Sequence, residues 1–170
     1  LRLTHAAQGP HEADAAITTE PGLACTVMVA DCLPVLFAAA GARGVGAAHA
    51  GWRGLAAGVL EATVQALCDA AGCAPQQLSA WLGPCIGPRH FEVGADVPAA
   101  GRHFRPRQRP DGAPRWLADL PALARDRLQA AGVAQISGGT WCTASDPSRF
   151  FSFRRDRVTG RMAAAVWIRN

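Results

Sequence analysis

The tightest constraint in this sequence is a pair of short apolar runs on either side of a glycine-bounded break. Residues 35–39 (VLFAA) and 45–49 (VGAAH) flank Gly41-Ala42-Arg43-Gly44. Five-residue runs of this composition, bounded by turn formers, read as buried strands, and the segment between them as their loop. A hairpin closed about Ala42 sets His49 opposite Val35, and cross-strand neighbours have Cβ atoms about 5 Å apart. Cys32 lies just before Pro34, in the turn entering the first strand, so it reaches the same end of the hairpin. Two residues distant in sequence become an expected contact.

A thiol and an imidazole at one point suit two chemistries. They hold a borderline metal such as zinc, or they act as nucleophile and base. Burial of an inert Cys beside a core His is the bland alternative, because free Cys is among the most buried residue types. The sequence after His49 argues against it. Ala50-Gly51-Trp52-Arg53-Gly54 puts an aromatic ring and a fixed cation between glycines where a helix begins. Unpaired N–H groups at that helix start, beside Arg53, favour an anion such as phosphate. Asp31, next to the cysteine, is a candidate to orient His49 or relay a proton.

These residues also carry a family resemblance. ADCLPVLF (residues 30–37) followed by VGAAHAGWRGLAAG (residues 45–58) resembles the YfiH-type family, long labelled laccase-domain or multicopper polyphenol oxidase proteins. LGPCIGPRHFEVGADV (82–97), WCT (141–143) and FFSFRRDRVTGRMAAAVWI (150–168) extend the match in family order over most of the chain. The resemblance implies an α+β fold of mixed β-sheets with short strands packed by a few helices, similar to a toxin deamidase domain. It implies phosphorolysis of adenosine, inosine, guanosine and methylthioadenosine, with adenosine deamination, by a zinc enzyme. Purine nucleosides and phosphate would be its partners. The family's cysteine and histidine zinc ligands map onto Cys32 and His49. Its third ligand, a histidine in a QVHG-like motif, has no counterpart here, so residues 1–170 are expected to be a single domain lacking the family's N-terminal segment. His5 and His11 are substitutes in number only, since both fall in a polar, Gly/Pro-punctuated stretch.

Three competing functions stay open: a metal-independent cysteine hydrolase using Cys32 and His49, a non-catalytic metal-binding domain, and copper polyphenol oxidation. Five histidines are too few for the ligand set of a multicopper cluster.

Composition narrows the partners. All 17 basic residues are arginine and the net charge is +4. Apart from residues 102–115 the arginines are scattered, without the interleaved aromatics of a base-stacking surface, which argues against nucleic acid. No apolar run approaches the ~20 residues that span a bilayer, so a cytoplasmic protein, monomeric or a small homo-oligomer, is expected. Six cysteines without a CxxC pair read as reduced thiols.

Elsewhere, Leu55, Val59, Leu60, Val64, Leu67 and Ala71 recur at helical spacing up to a Gly72 cap. Asp119 can cap a further helix with Pro121 in its first turn. Residues 102–115, with Pro106, Pro110 and Pro114, read as a solvated loop, or a lid over the site. Residues 150–154 and 162–168 read as a closing hairpin, with Arg154 placed to join an anion site.

Overall fold

A computed structural model describes residues 1–5, 12–95, 97 and 102–170. It is an α+β fold. In chain order the elements are β1 (Ala15–Thr18), β2 (Ala24–Val29), β3 (Leu33–Ala39), β4 (Val45–Ala50), α1 (Trp52–Ala56), α2 (Val59–Ala71), β5 (Leu78–Leu82), β6 (Glu92–Val93), β7 (Phe104–Arg107), β8 (Arg115–Ala118), α3 (Leu120–Ala130), β9 (Gln135–Gly138), α4 (Phe153–Asp156) and β10 (Met162–Trp167).

The central sheet has the order β1-β4-β3-β5-β9, all antiparallel except the parallel β5–β9 pair. The β3–β4 hairpin is the one read from the sequence, shifted by one residue. Pro34 lies opposite His49, and Val35 opposite Ala48. The shift comes from the turn, where Ala39 N–H donates to Gly44 C=O at 2.9 Å across a loop with Gly41 and Ala42 at positive φ.

Strand β3 is apolar almost throughout because both faces are covered. On one side Leu60, Val64, Leu67 and Cys68 of α2 join Leu33, Val35 and Phe37 in the main core. On the other, Cys25 and Val27 of β2 meet Val45, Ala47 and Ile168 in a second cluster. Burying each of these Leu or Phe side chains contributes about 1.5–3 kcal/mol.

Three expectations are corrected. The single helix after His49 is two, because Gly58 adopts φ +84° and breaks the chain between α1 and α2. Residues 102–115 are not a loop throughout: Phe104–Arg107 form β7, which pairs across the exposed 108–114 turn with β8 (Arg115–Ala118), in the order β6-β8-β7. Pro106 is accommodated because β7 is an edge strand, where a missing N–H costs no ladder bond. The C-terminal hairpin does not form. Ser152 Oγ accepts from Arg155 N–H and starts the α4 turn, while β10 pairs antiparallel with β2, Val166 opposite Cys25. Among the described residues no helix is long and apolar enough to cross a membrane.

Candidate functional site

The site forms where the β3–β4 hairpin ends and α1 begins. Cys32 sits in the turn between β2 and β3, and His49 is the penultimate residue of β4. A Cβ added at Gly51 would lie 3.0 Å from Cys32 Sγ and 3.8 Å from His49 Nε2. Thiol and imidazole therefore converge on the space that the missing side chain leaves open. The other ring nitrogen, Nδ1, lies 3.1 Å from Asp14 Oδ1. Main chain reinforces this pairing, since His49 N–H donates to Asp14 C=O at 2.7 Å. The hydrogen bond with Cys32 is the largest influence on the imidazole and, with Asp14 and against burial, raises its pKa from 6.5 to about 9.

Asp31 does not take the orienting place next to His49; Asp14 holds it. Asp31 is buried and accepts from the Thr143 hydroxyl and from Arg154 N–H at 2.8 Å. It ties the 143 and 154 segments to the wall of a cleft of about 300 Å³, lined by Cys32, Trp52, Arg53, Phe91, Phe153 and Arg154. The Arg53 guanidinium carbon lies 4.4 Å from the Trp52 ring centroid, a cation–π contact that fixes the charge at the rim. Its exposed head group remains accessible from the cleft. Arg154 borders the same cleft, but its guanidinium donates to Glu92 C=O at 2.9 Å and His90 C=O at 3.3 Å. That head group serves the wall of the cleft.

The remaining histidines stand elsewhere. His103 Nε2 lies 2.7 Å from Asp126, and His90 Nε2 lies 3.0 Å from Ser145 Oγ. His5 Nε2 lies 3.1 Å from Pro21 O. His11 lies outside the described residues. Among the described residues no three His, Cys, Asp or Glu side chains converge as a metal-binding group. Cys32 and His49 nonetheless offer the S and N donors that zinc takes, with the second ring nitrogen held by a carboxylate as in zinc-bound imidazoles. They fit two positions of such a site.

Sequence reasoning missed Asp14 and Thr143. Asp14 continues the β1–β4 register, in which Ala15 faces Ala48, so it falls opposite His49. Nothing local to residue 14 announces that pairing.

Fold and site together define a class: an α+β domain whose hairpin carries a Cys–His pair to the edge of a cleft. The chain belongs to the multi-copper polyphenol oxidoreductase laccase family, whose family model matches residues 1–169. It is 52% identical over 163 residues to a protein of Pseudomonas aeruginosa named purine nucleoside phosphorylase PA4543, covering 93% of this chain and 66% of that one. Against the Escherichia coli protein named purine nucleoside phosphorylase YfiH, identity is 47% over 171 residues, covering 99% and 69%. The crystal structure of Neisseria meningitidis protein NMB0706 superposes with a TM-score of 0.85 at 45% identity, over 95% of this chain and 67% of that one. YlmD from Geobacillus stearothermophilus gives a TM-score of 0.83 at 35% identity, over 92% and 61%. The chain thus spans about two thirds of the length of the relatives it matches.

Proposed function

We propose that this chain carries the core of a zinc-dependent purine nucleoside site, working in phosphorolysis and in adenosine deamination. The observation that carries the reading is the convergence of Cys32 Sγ and His49 Nε2 beside Gly51, with Asp14 on Nδ1. The names of the relatives supply the substrate class. Cys32 and His49 would hold the zinc, and Asp14 keeps the imidazole in the orientation that aims Nε2 at it. Bound there, zinc supplies a Lewis acid able to activate water near neutral pH.

The protein's own residues account for the rest. Trp52 and Phe153 present aromatic surface to the cleft, suited to stacking on a purine ring. Arg53, braced on Trp52, offers a planar fork to a phosphate oxygen pair. Asp31 holds Thr143 and the Arg154 backbone in place, so that the cleft keeps its shape while substrate exchanges.

The test is to measure bound zinc, phosphate-dependent release of purine base from inosine, and release of ammonia from adenosine. These are to be followed in the chain joined to an upstream segment that carries a QVHG-like histidine, and in the Cys32→Ala and His49→Ala variants of that protein. Each substitution is expected to abolish zinc binding and both activities without changing the circular dichroism spectrum, because too few donors remain. Stoichiometric zinc in either variant would sink the assignment.

A second reading rests on the same geometry. Cys32, His49 and Asp14 stand in the order nucleophile, base and orienting carboxylate. A cysteine hydrolase built this way would work in the presence of chelator and lose activity when iodoacetamide alkylates Cys32. Zinc-dependent turnover excludes it.

A further inference from the structure

Two cysteines away from the cleft stand at the two ends of the turn that closes α2. Gly72 takes the left-handed conformation there, φ 59° and ψ 48°. The Cys73 N–H donates to the Cys68 carbonyl at 3.1 Å. That is the six-to-one hydrogen bond of a Schellman turn, in which the residues at its two ends characteristically pack side chain against side chain. Both positions are usually apolar; here both are thiols. Cys68 is buried at 7% exposure and Cys73 is half-buried, packed on the same core.

We propose that Cys68 and Cys73 are a thiol–disulfide site, closed by a low-molecular-weight disulfide and opened by thiols. The turn makes the reaction intramolecular, bringing together the two residues at its ends across four intervening positions. Burial, then the neighbouring Cys73, push the Cys68 thiol up to about 11, so Cys68 keeps its proton and the more exposed Cys73 attacks first.

The steps balance. The Cys73 thiolate attacks one sulfur of oxidised glutathione, forming a mixed disulfide and expelling one glutathione thiolate. Cys68 then gives its proton to solvent and attacks the Cys73 sulfur, expelling the second thiolate. Two protein thiols are oxidised and one small disulfide is reduced. The product ties the last turn of α2 to the strand-ward chain that leads to β5.

Proteolysis before Asp69 provides the test, because it separates Cys68 from Cys73 in the reduced chain. The native 170-residue chain is incubated with oxidised glutathione, free thiols are blocked, and the digest is weighed with and without dithiothreitol. The expected result is that the fragments on either side of Asp69 remain joined until reductant is added. Cys68→Ser and Cys73→Ser should each abolish the link, and Cys142→Ser should leave it unchanged. Gly72→Ala, which loads the left-handed turn with a side chain, should slow closure by about tenfold. Recovery of Cys68 and Cys73 as separately blocked thiols, or as two separate glutathione adducts, overturns the proposal. Closure at the same rate in Gly72→Ala overturns the role given to the turn.

Discussion

His49 works between two partners of different kinds, and each sets a separate property. Cys32 contributes most to holding a proton on the ring, and Asp14 fixes which way the ring faces. Histidine titrates near 6.5 in an unfolded chain, and here at about 9. The stabilisation from this contact is therefore complete below about pH 6.5 and is lost as pH rises through about 9. In metal-free protein, an NMR titration of His49 should give that raised midpoint, and Cys32→Ala should move it down, since the principal cause is gone. Zinc and the proton compete for Nε2, so zinc affinity should strengthen as pH approaches 9 and flatten above it. Asp14→Asn should weaken zinc about 10- to 100-fold, measured by chelator competition, while leaving thermal stability nearly unchanged at so exposed a carboxylate. For Arg53, replacement by Ala should reduce phosphorolysis far more than deamination, because only phosphorolysis needs the anion. Lys should restore part of the loss, since it keeps the charge without the planar fork. Equal loss of both activities would instead make Arg53 a determinant of nucleoside binding.

Elements were legible where their pattern is local. Cys25, Val27 and Val29 alternate in the sequence and are the buried face of β2, and Asp119 caps α3 through Ala122 N–H at 3.0 Å. The hairpin carrying Cys32 and His49 was legible to within one residue, because its two runs adjoin a single loop. Elements whose partners are distant were not. The alternation in FFSFRR suits a strand, yet the natural partner of β10 is β2, more than a hundred residues earlier. That freed residues 150–154 to follow Ser152 into a helical turn. Gly58 shows the same limit within helices: periodicity runs through it unbroken, and only its left-handed backbone separates α1 from α2. A side chain in that conformation costs ~1–2 kcal/mol. Gly58→Ala should thus lower the melting temperature, by about 2–4 °C per kcal/mol lost in a chain of this size. It should also disturb Trp52 and Arg53, which ride on α1, so phosphorolysis should fall at temperatures where the variant is still folded. A variant with unchanged melting temperature would show that α1 and α2 fuse without strain.

At the scale of the whole molecule, the question is how many zinc donors the fold brings together. The described residues bring together the two donors proposed above, Cys32 and His49, at one end of a hairpin. Catalytic zinc ordinarily takes three from protein. His90 and His103 are engaged with Ser145 and Asp126, and His5 lies beside Pro21 at the far end of β1. The 170-residue chain alone is therefore expected to bind zinc weakly and to turn over little nucleoside. Supplying an upstream segment that carries a QVHG-like histidine should raise both together, because the added donor would bring the protein ligands to the three that catalytic zinc ordinarily takes. The measurement is zinc content and inosine phosphorolysis for the chain with and without that segment, under one buffer and one zinc concentration. Tight zinc and full activity in the 170 residues by themselves would contradict this expectation. The third donor would then lie within the chain, and His11→Ala and His5→Ala, assayed in turn, would identify it by loss of the metal.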